Sequence, residues 1–199
     1  MPRDTTSRDW FKRAETDYFS AFIKLWLSFN SLYRRDYRNR NFSKIDRKYI
    51  EALKTENNPL KERFIKLFEE ESNEAREFRV HLIELIRKYD GGLFGQKTIQ
   101  KAEYTKPQMN GIALDEISFK DFIHPRSIQL TKNPNKNEWI KIDKLYIKKL
   151  PDETWPYFVE VLYMIRCLLI HGEMEPTEEN HEIIKNCYFV LSILIKDEV

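Results

Sequence analysis

The stretch "DETWPYFVEVLYMIRCLLIHG", residues 152–172, combines a long apolar run with one arginine and one histidine. Its length and composition predict a buried helix that ends at Gly172, since glycine is the usual residue just beyond a helix C-terminus. Arg166 and His171 are five residues apart, so their side chains point roughly 140° apart around the helix axis. They can meet only if His171, as the last helical residue, turns outward.

The arginine and the histidine allow two interpretations. In the first, His171 is a polar group at the helix end and Arg166 pairs with a nearby carboxylate such as Glu160 or Glu173. In the second, the pair does chemistry, because imidazole can transfer protons near neutral pH and guanidinium is always charged. The spacing by itself favours the first interpretation.

Three segments before this stretch repeat apolar residues every three or four positions, as amphipathic helices do. They cover residues 7–37, 41–58 with Ser43 as the predicted cap, and 60–89 as one long helix.

Asp152 or Thr154 is the predicted cap of the helix that ends at Gly172, and Pro176 opens a last apolar helix. Short connections between helices predict an all-α fold, an antiparallel helical bundle that forms a single domain over residues 1–199.

Residues 91–150 interrupt the helical pattern. Four of the five glycines lie between Gly91 and Gly111. The alternating stretches "SIQLT", 127–131, and "EWIKID", 138–143, flank a turn-rich segment and predict a β-hairpin. We interpret 91–150 as an insertion between the third and fourth main helices, because it is short of core residues.

Composition narrows the classes of protein to which this chain could belong. Lys and Arg total 34 against 32 Asp and Glu, so the net charge alone does not indicate a nucleic-acid partner. The two cysteines lie in apolar segments and predict no disulfide. The sequence contains no apolar stretch of the length that a membrane span or a signal peptide needs, which predicts a soluble, cytoplasmic protein without a membrane partner.

One local concentration of positive charge stands out. The stretch "YRRDYRNRNFSKIDRK", residues 33–48, carries two acidic residues, interleaved tyrosines and seven basic residues: Arg34, Arg35, Arg38, Arg40, Lys44, Arg47 and Lys48. Basic groups can neutralise phosphates while tyrosines stack on bases, which would make this an RNA-binding stretch. A solvated helix end is the alternative meaning of such a run.

Two stretches resemble the HEPN domain family: "RCLLIHG", residues 166–172, and the aromatic pattern "KLWLSFNSLYR", residues 24–34. The resemblance implies a helical bundle that dimerises, so that Arg166 and His171 of both chains line one cleft. Many members are metal-independent endoribonucleases. By this resemblance, the chain would be an RNA-cleaving toxin or antiphage effector whose activity is restrained by an antitoxin or another regulatory protein.

The resemblance also implies roles for single residues. His171 would act as general base or acid when a ribose 2′-hydroxyl attacks its own phosphate, and Arg166 would stabilise the phosphoryl charge. Asn30 would support the cleft, with a buried amide bonded to backbone as its alternative role. The residue after the arginine departs from the pattern, because active members usually have Asn, Asp or His where this chain has Cys167.

Cys167 supports an alternative prediction of function, because a thiol forms only weak hydrogen bonds. The alternative is a catalytically inactive helical module that binds RNA, a nucleotide or a protein partner.

The stretch "HGEMEPTEENH", residues 171–181, is rich in His and Glu but matches no established zinc or di-iron spacing. We therefore predict no metal and no other cofactor.

Overall fold

The computed structural model describes residues 17–40, 42, 46–90, 123–125, 139–142, 145–148, 151–172, 174 and 178–199. These residues contain six helices and three short strands. The helices are α1 (Tyr18–Asp36), α2 (Asp46–Thr55), α3 (Pro59–Glu69), α4 (Asn73–Asp90), α5 (Pro151–Ile170) and α6 (Glu178–Ile195). The strands are β1 (Ile123–Pro125), β2 (Trp139–Ile142) and β3 (Leu145–Lys148).

The helices form a bundle around an aromatic core. Helix α6 packs against α1 and α4, whereas α5 packs against α2 and α3. The largest side chains that are fully buried include Trp26, Phe64, Trp155 and Phe158. The predicted helical bundle is confirmed for the described residues, and none of their helices is both long enough and apolar enough to cross a bilayer.

Helix α1 follows the predicted apolar stripe. Asp17 caps it by accepting a hydrogen bond from the backbone N–H of Phe19 at 3.0 Å. Phe22, Trp26 and Phe29 are buried on the face that the periodicity indicated. Residues 7–16, which the prediction assigned to this helix, lie outside the described residues.

The predicted long third helix was wrong, because the chain breaks into α3 and α4 at residues 70–72. The Ser72 hydroxyl accepts a hydrogen bond from the backbone N–H of Ala75 at 3.1 Å and starts α4. Buried Arg79 donates from Nη1 to the carbonyl oxygens of Leu67, Phe68 and Glu70 at 3.1, 3.1 and 2.6 Å. The guanidinium thereby takes the place of the backbone N–H groups that a continuous helix would supply.

The C-terminal end of α2 and the N-terminal end of α3 meet at Asn58. Its side-chain oxygen caps α3 by accepting from the backbone N–H of Lys61 at 2.9 Å, and its Nδ2 donates to the Leu53 carbonyl at 3.0 Å. The predicted cap of α2, Ser43, lies outside the described residues.

Helix α5 begins earlier than the predicted caps imply. Pro151 is its first residue, so the prediction that Asp152 or Thr154 caps it was wrong. Asp152 instead forms an ion pair with Lys61 at 2.8 Å. Gly172 ends the helix as predicted, with φ of 70°, in the left-handed region that favours glycine.

The three strands form one antiparallel sheet in the order β1-β3-β2. Ile147 of β3 pairs with Ile123 of β1 on one side and with Ile140 of β2 on the other. Strand β2 lies within the predicted strand 138–143. The predicted partner strand, 127–131, lies outside the described residues, as does most of the predicted insertion.

Candidate functional site

Arg166 lies on α5 beside a cysteine and a tyrosine of the same helix. Its Nη1 is 3.6 Å from Sγ of Cys167, and its guanidinium carbon is 6.0 Å from the centroid of the Tyr163 ring. The side chain is partly buried, and its Nε has no hydrogen-bond partner among the described residues. None of the carboxylates in the described part of the chain forms an ion pair with Arg166.

Glu160, a proposed partner of Arg166, is occupied by two other cations. Its Oε1 accepts from Nη1 of Arg47 at 2.5 Å, and its Oε2 accepts from Nζ of Lys54 at 2.8 Å. The prediction that Arg166 pairs with Glu160 was therefore wrong. The other proposed partner, Glu173, lies outside the described residues.

This ion network, Arg47–Glu160–Lys54, is largely shielded from solvent. Burial alone would raise the pKa of Glu160, but the hydrogen bonds and charges of Arg47 and Lys54 outweigh burial and hold the pKa below its ordinary value. Burial likewise opposes the charge of Arg47, and Glu160 reverses that effect, so the pKa of Arg47 is raised. Glu160 and Arg47 are consequently charged in the folded protein at neutral pH.

The ring of Tyr163 links this network to Arg166. The guanidinium carbon of Arg47 lies 5.5 Å from the ring centroid, so two guanidinium groups lie over one ring. Burial and the Cys167 thiol raise the pKa of Tyr163 to about 12. The hydroxyl therefore stays protonated at neutral pH and can act as a donor.

His171 lies at the exposed C-terminal end of α5. Its backbone N–H donates to the carbonyl oxygen of Cys167 at 3.0 Å, while that of Gly172 donates to Leu169 at 3.2 Å. The imidazole is exposed, and no hydrogen bond joins it to Arg166 among the described residues of the chain. The two predicted catalytic side chains thus share one helix end, and no hydrogen bond joins them in the described structure.

Asn30 supports a second arginine. Its Oδ1 accepts from Nε of Arg34 at 2.6 Å, and Nη2 of Arg34 donates to Oδ1 of Asp46 at 3.1 Å. The guanidinium of Arg34 also lies 4.7 Å from the centroid of the Tyr49 ring. The side-chain oxygen of Asn30 is therefore bonded to a guanidinium and not to the backbone, which was its predicted alternative partner.

Tyr33 connects the two arginine environments. Its buried hydroxyl donates to Oδ1 of Asp46 at 2.9 Å. Burial, then the carboxylate of Asp46, raise the pKa of Tyr33 well above its ordinary value, whereas the charges of Arg34 and Arg166 act in the opposite direction. Both guanidinium groups are therefore close enough to Tyr33 to influence it.

We call these side chains the α1–α2–α5 cluster. It consists of Asn30, Tyr33 and Arg34 of α1, Asp46 of α2, and Tyr163, Arg166 and Cys167 of α5. Asp46 also has one oxygen, Oδ2, that is buried and without a hydrogen-bond partner in the described structure. The cluster holds two guanidinium groups of which one, Arg34, is neutralised by Asp46.

The other members of the predicted RNA-binding stretch differ in their availability. Arg47 belongs to the ion network and is not exposed as a phosphate ligand. Arg35 and Arg40 are exposed but paired, with Asp36 at 3.3 Å and Glu56 at 2.8 Å respectively. Arg38 and Lys48 are exposed, and Lys44 lies outside the described residues.

Sequence reasoning missed three members of this site. Tyr163 lies three residues before Arg166, a spacing that places both on one helix face and was visible in the sequence. Asp46 and Tyr33 meet only because α1 and α2 pack together, and no local spacing indicates their hydrogen bond.

The described residues bring no three His, Cys, Asp or Glu side chains into an arrangement that could hold a metal ion. Comparison of the chain with models of known protein families, with curated proteins and with solved structures finds no match.

Proposed function

We propose that this protein is a metal-independent endoribonuclease of the HEPN type that acts as a homodimer. The observation that carries the proposal is that the guanidinium of Arg166 has no carboxylate partner among the described residues. Arg34, Arg47 and Arg63 each form an ion pair with a carboxylate, at 3.1, 2.5 and 2.7 Å. Arg166, by contrast, is partly buried without such a partner in the described structure, as a group that receives an anion would be.

The proposed reaction needs only the side chains of the protein. His171 takes the proton of a ribose 2′-hydroxyl, and the resulting oxygen attacks the adjacent phosphorus. The bond from phosphorus to the 5′-oxygen breaks, and a protonated imidazole gives a proton to that oxygen. The products are a 2′,3′-cyclic phosphate and a free 5′-hydroxyl. Arg166 stabilises the charge on the non-bridging oxygens.

The lack of a hydrogen bond between the Arg166 and His171 side chains in the described structure supports the dimer in this proposal. A second copy would complete the pair by bringing its own histidine and arginine to the same phosphate. The exposed side chain of Ile170, with 51% of its surface accessible, lies next to His171 and suits such a contact. The physiological role in this proposal is that of a toxin or antiphage effector restrained by an antitoxin or regulatory protein.

A cleavage assay in EDTA tests the proposal. We expect the wild type to cleave RNA to products with cyclic phosphate ends, and Arg166→Ala and His171→Ala to lose at least a hundredfold in rate. Arg76→Ala is the matched control: it removes an exposed arginine of α4 and should cleave like the wild type. Full activity of His171→Ala would refute the proposed mechanism.

A catalytically inactive binding module is the second candidate, and one contact favours it. Nη1 of Arg166 lies against the Cys167 thiol, a weak acceptor, at the position where an amide, carboxylate or imidazole would orient the arginine more strongly. This candidate predicts saturable, salt-sensitive binding of RNA without product. RNA degradation that scales with protein concentration and disappears in Arg166→Ala would exclude it.

A further inference from the structure

No carboxylate of the described residues forms an ion pair with Arg166. Its Nε has no hydrogen-bond partner in the described structure, and its Nη1 meets only a thiol. A long side chain with so few directional contacts would ordinarily sample many rotamers. In the described structure the guanidinium also lies over the face of the Tyr163 ring, with its carbon 6.0 Å from the ring centroid.

Tyr163 is itself fixed by its surroundings. Its side chain is 7% exposed, and its ring centroid lies 6.2 Å from that of Trp26 on α1. Arg47 lies over the same ring, and Glu160 holds Arg47 by a hydrogen bond of 2.5 Å. The ring therefore has little freedom to rotate away from Arg166.

Cys167 contacts both partners of this arrangement. Its thiol lies near the Tyr163 hydroxyl, one helical turn earlier, and 3.6 Å from Nη1 of Arg166. Ring and thiol together bound two sides of the guanidinium group. No other described residue accepts a hydrogen bond from the guanidinium of Arg166.

We propose that Tyr163 is a positioning residue for Arg166. Its ring face orients the guanidinium towards the phosphoryl group of the substrate and does not itself contact the substrate. This inference rests on the proposed ribonuclease function for its kinetic consequence but not for its structural one. An arginine that is oriented before the substrate binds loses less freedom in the transition state, which increases kcat.

Two substitutions separate the ring from the hydroxyl. Tyr163→Phe keeps the ring face, whereas Tyr163→Leu removes it. Phe158→Leu is the matched control, since it removes a buried aromatic ring of α5 that packs against Phe64 and Phe78. We expect Tyr163→Phe to cleave RNA within threefold of the wild type and Tyr163→Leu to lose roughly tenfold in kcat with little change in KM.

A second measurement does not depend on catalysis. In protein labelled with ¹⁵N at arginine Nε, relaxation of the Arg166 Nε–H signal reports how ordered the guanidinium is. We expect an ordered signal in the wild type, Tyr163→Phe and Phe158→Leu, and a mobile one in Tyr163→Leu. If the wild type cleaves no RNA, the proposed function fails, and this measurement still decides whether Tyr163 orders Arg166.

The inference would be overturned if the Arg166 signal were as ordered in Tyr163→Leu as in the wild type, or if it were mobile in the wild type. It would also be overturned if Phe158→Leu showed the same Arg166 mobility or the same loss of kcat as Tyr163→Leu. The wild type also provides a test if Tyr163→Leu does not fold. We expect nuclear Overhauser effects between Arg166 Nε–H and the Tyr163 ring protons, and their absence would contradict the contact.

Discussion

Glu160 accepts a hydrogen bond from Nζ of Lys54 at 2.8 Å, although both side chains are buried and 106 residues separate them in sequence. Arg47, seven residues earlier in α2, donates to the same carboxylate. One buried carboxylate therefore pairs with two cations of α2 and joins α2 to α5.

Removing the charge of Glu160 should destabilise the fold strongly. Glu160→Gln leaves Arg47 and Lys54 without their buried counterion, and we expect a loss of about 3–5 kcal/mol in the free energy of unfolding. Glu51 is the matched control, because it pairs with both cations from a position that is 36% exposed. Glu51→Gln should cost less than about 1 kcal/mol. Equal losses in urea unfolding would contradict this account of the network.

The same network should contribute to stability in a pH-dependent way. The pKa of Glu160 is lower in the folded protein than the ordinary glutamate value of about 4.3, so its contribution is complete above that pH. It should be lost as the pH falls below about 4.3 and through the lower folded value. Urea unfolding of wild type and Glu160→Gln between about pH 7 and pH 3 measures this. The gap between the two proteins should narrow in acid; a constant gap would refute the assignment.

Arg79 should be required for the break between α3 and α4. Arg79→Leu leaves the carbonyl oxygens of Leu67, Phe68 and Glu70 without their donor, and we expect a loss of about 3 kcal/mol in unfolding free energy. Arg76→Leu changes an exposed arginine of the same helix and should stay within about 0.5 kcal/mol. A small effect of Arg79→Leu in urea unfolding would show that the break does not depend on this guanidinium.

Gly172 should contribute to the stability of the fold through its backbone conformation alone. Apart from its chain neighbours, no atom of the described residues lies within 4 Å of a Cβ added there, so the cost of Gly172→Ala comes from its φ of 70°. We expect a loss of about 1 kcal/mol for Ala and less for Asn, which tolerates this region better. Thermal unfolding of the two variants measures the difference. An Asn variant that is as unstable as Ala would argue against the left-handed turn.

The exposed basic residues give a test of RNA contact that is independent of cleavage. Arg38→Ala and Lys48→Ala should each reduce the magnitude of the slope of log affinity against log salt by roughly 0.7, as expected when one phosphate contact to a single strand is lost. Lys66→Ala, an exposed position on α3, should leave the slope unchanged. The measurement is RNA binding by His171→Ala over a range of salt concentrations. Unchanged slopes in both variants would remove this stretch from the RNA-binding surface.

Local patterns in the sequence predicted those parts of the fold that local physics decides. The apolar spacing in α1 identified its buried face, and Gly172 identified the end of α5, because both features depend on neighbouring residues only. The break at residues 70–72 escaped detection, since the apolar period continues through it and the group that stabilises it, Arg79, lies in the next helix.

The candidate site was predicted in part for the same reason. Arg166 and His171 were found by their spacing and by a resemblance, yet their surroundings depend on contacts between helices. Glu160 illustrates the limit: it lies close to Arg166 in sequence, but its partners come from α2. Tertiary packing, which a single sequence does not display, decides which carboxylate neutralises which cation.

The ion network has a consequence for the alignment of α5 within the bundle. A slip of α5 by one residue would shift it about 1.5 Å along its axis and rotate it by about 100°, which would withdraw the Glu160 carboxylate from both cations. The ion pairs of Glu160 thus fix how the whole of α5 is rotated about its own axis. Arg166 lies six residues further on, so the direction in which it faces is set by a salt bridge that it does not share.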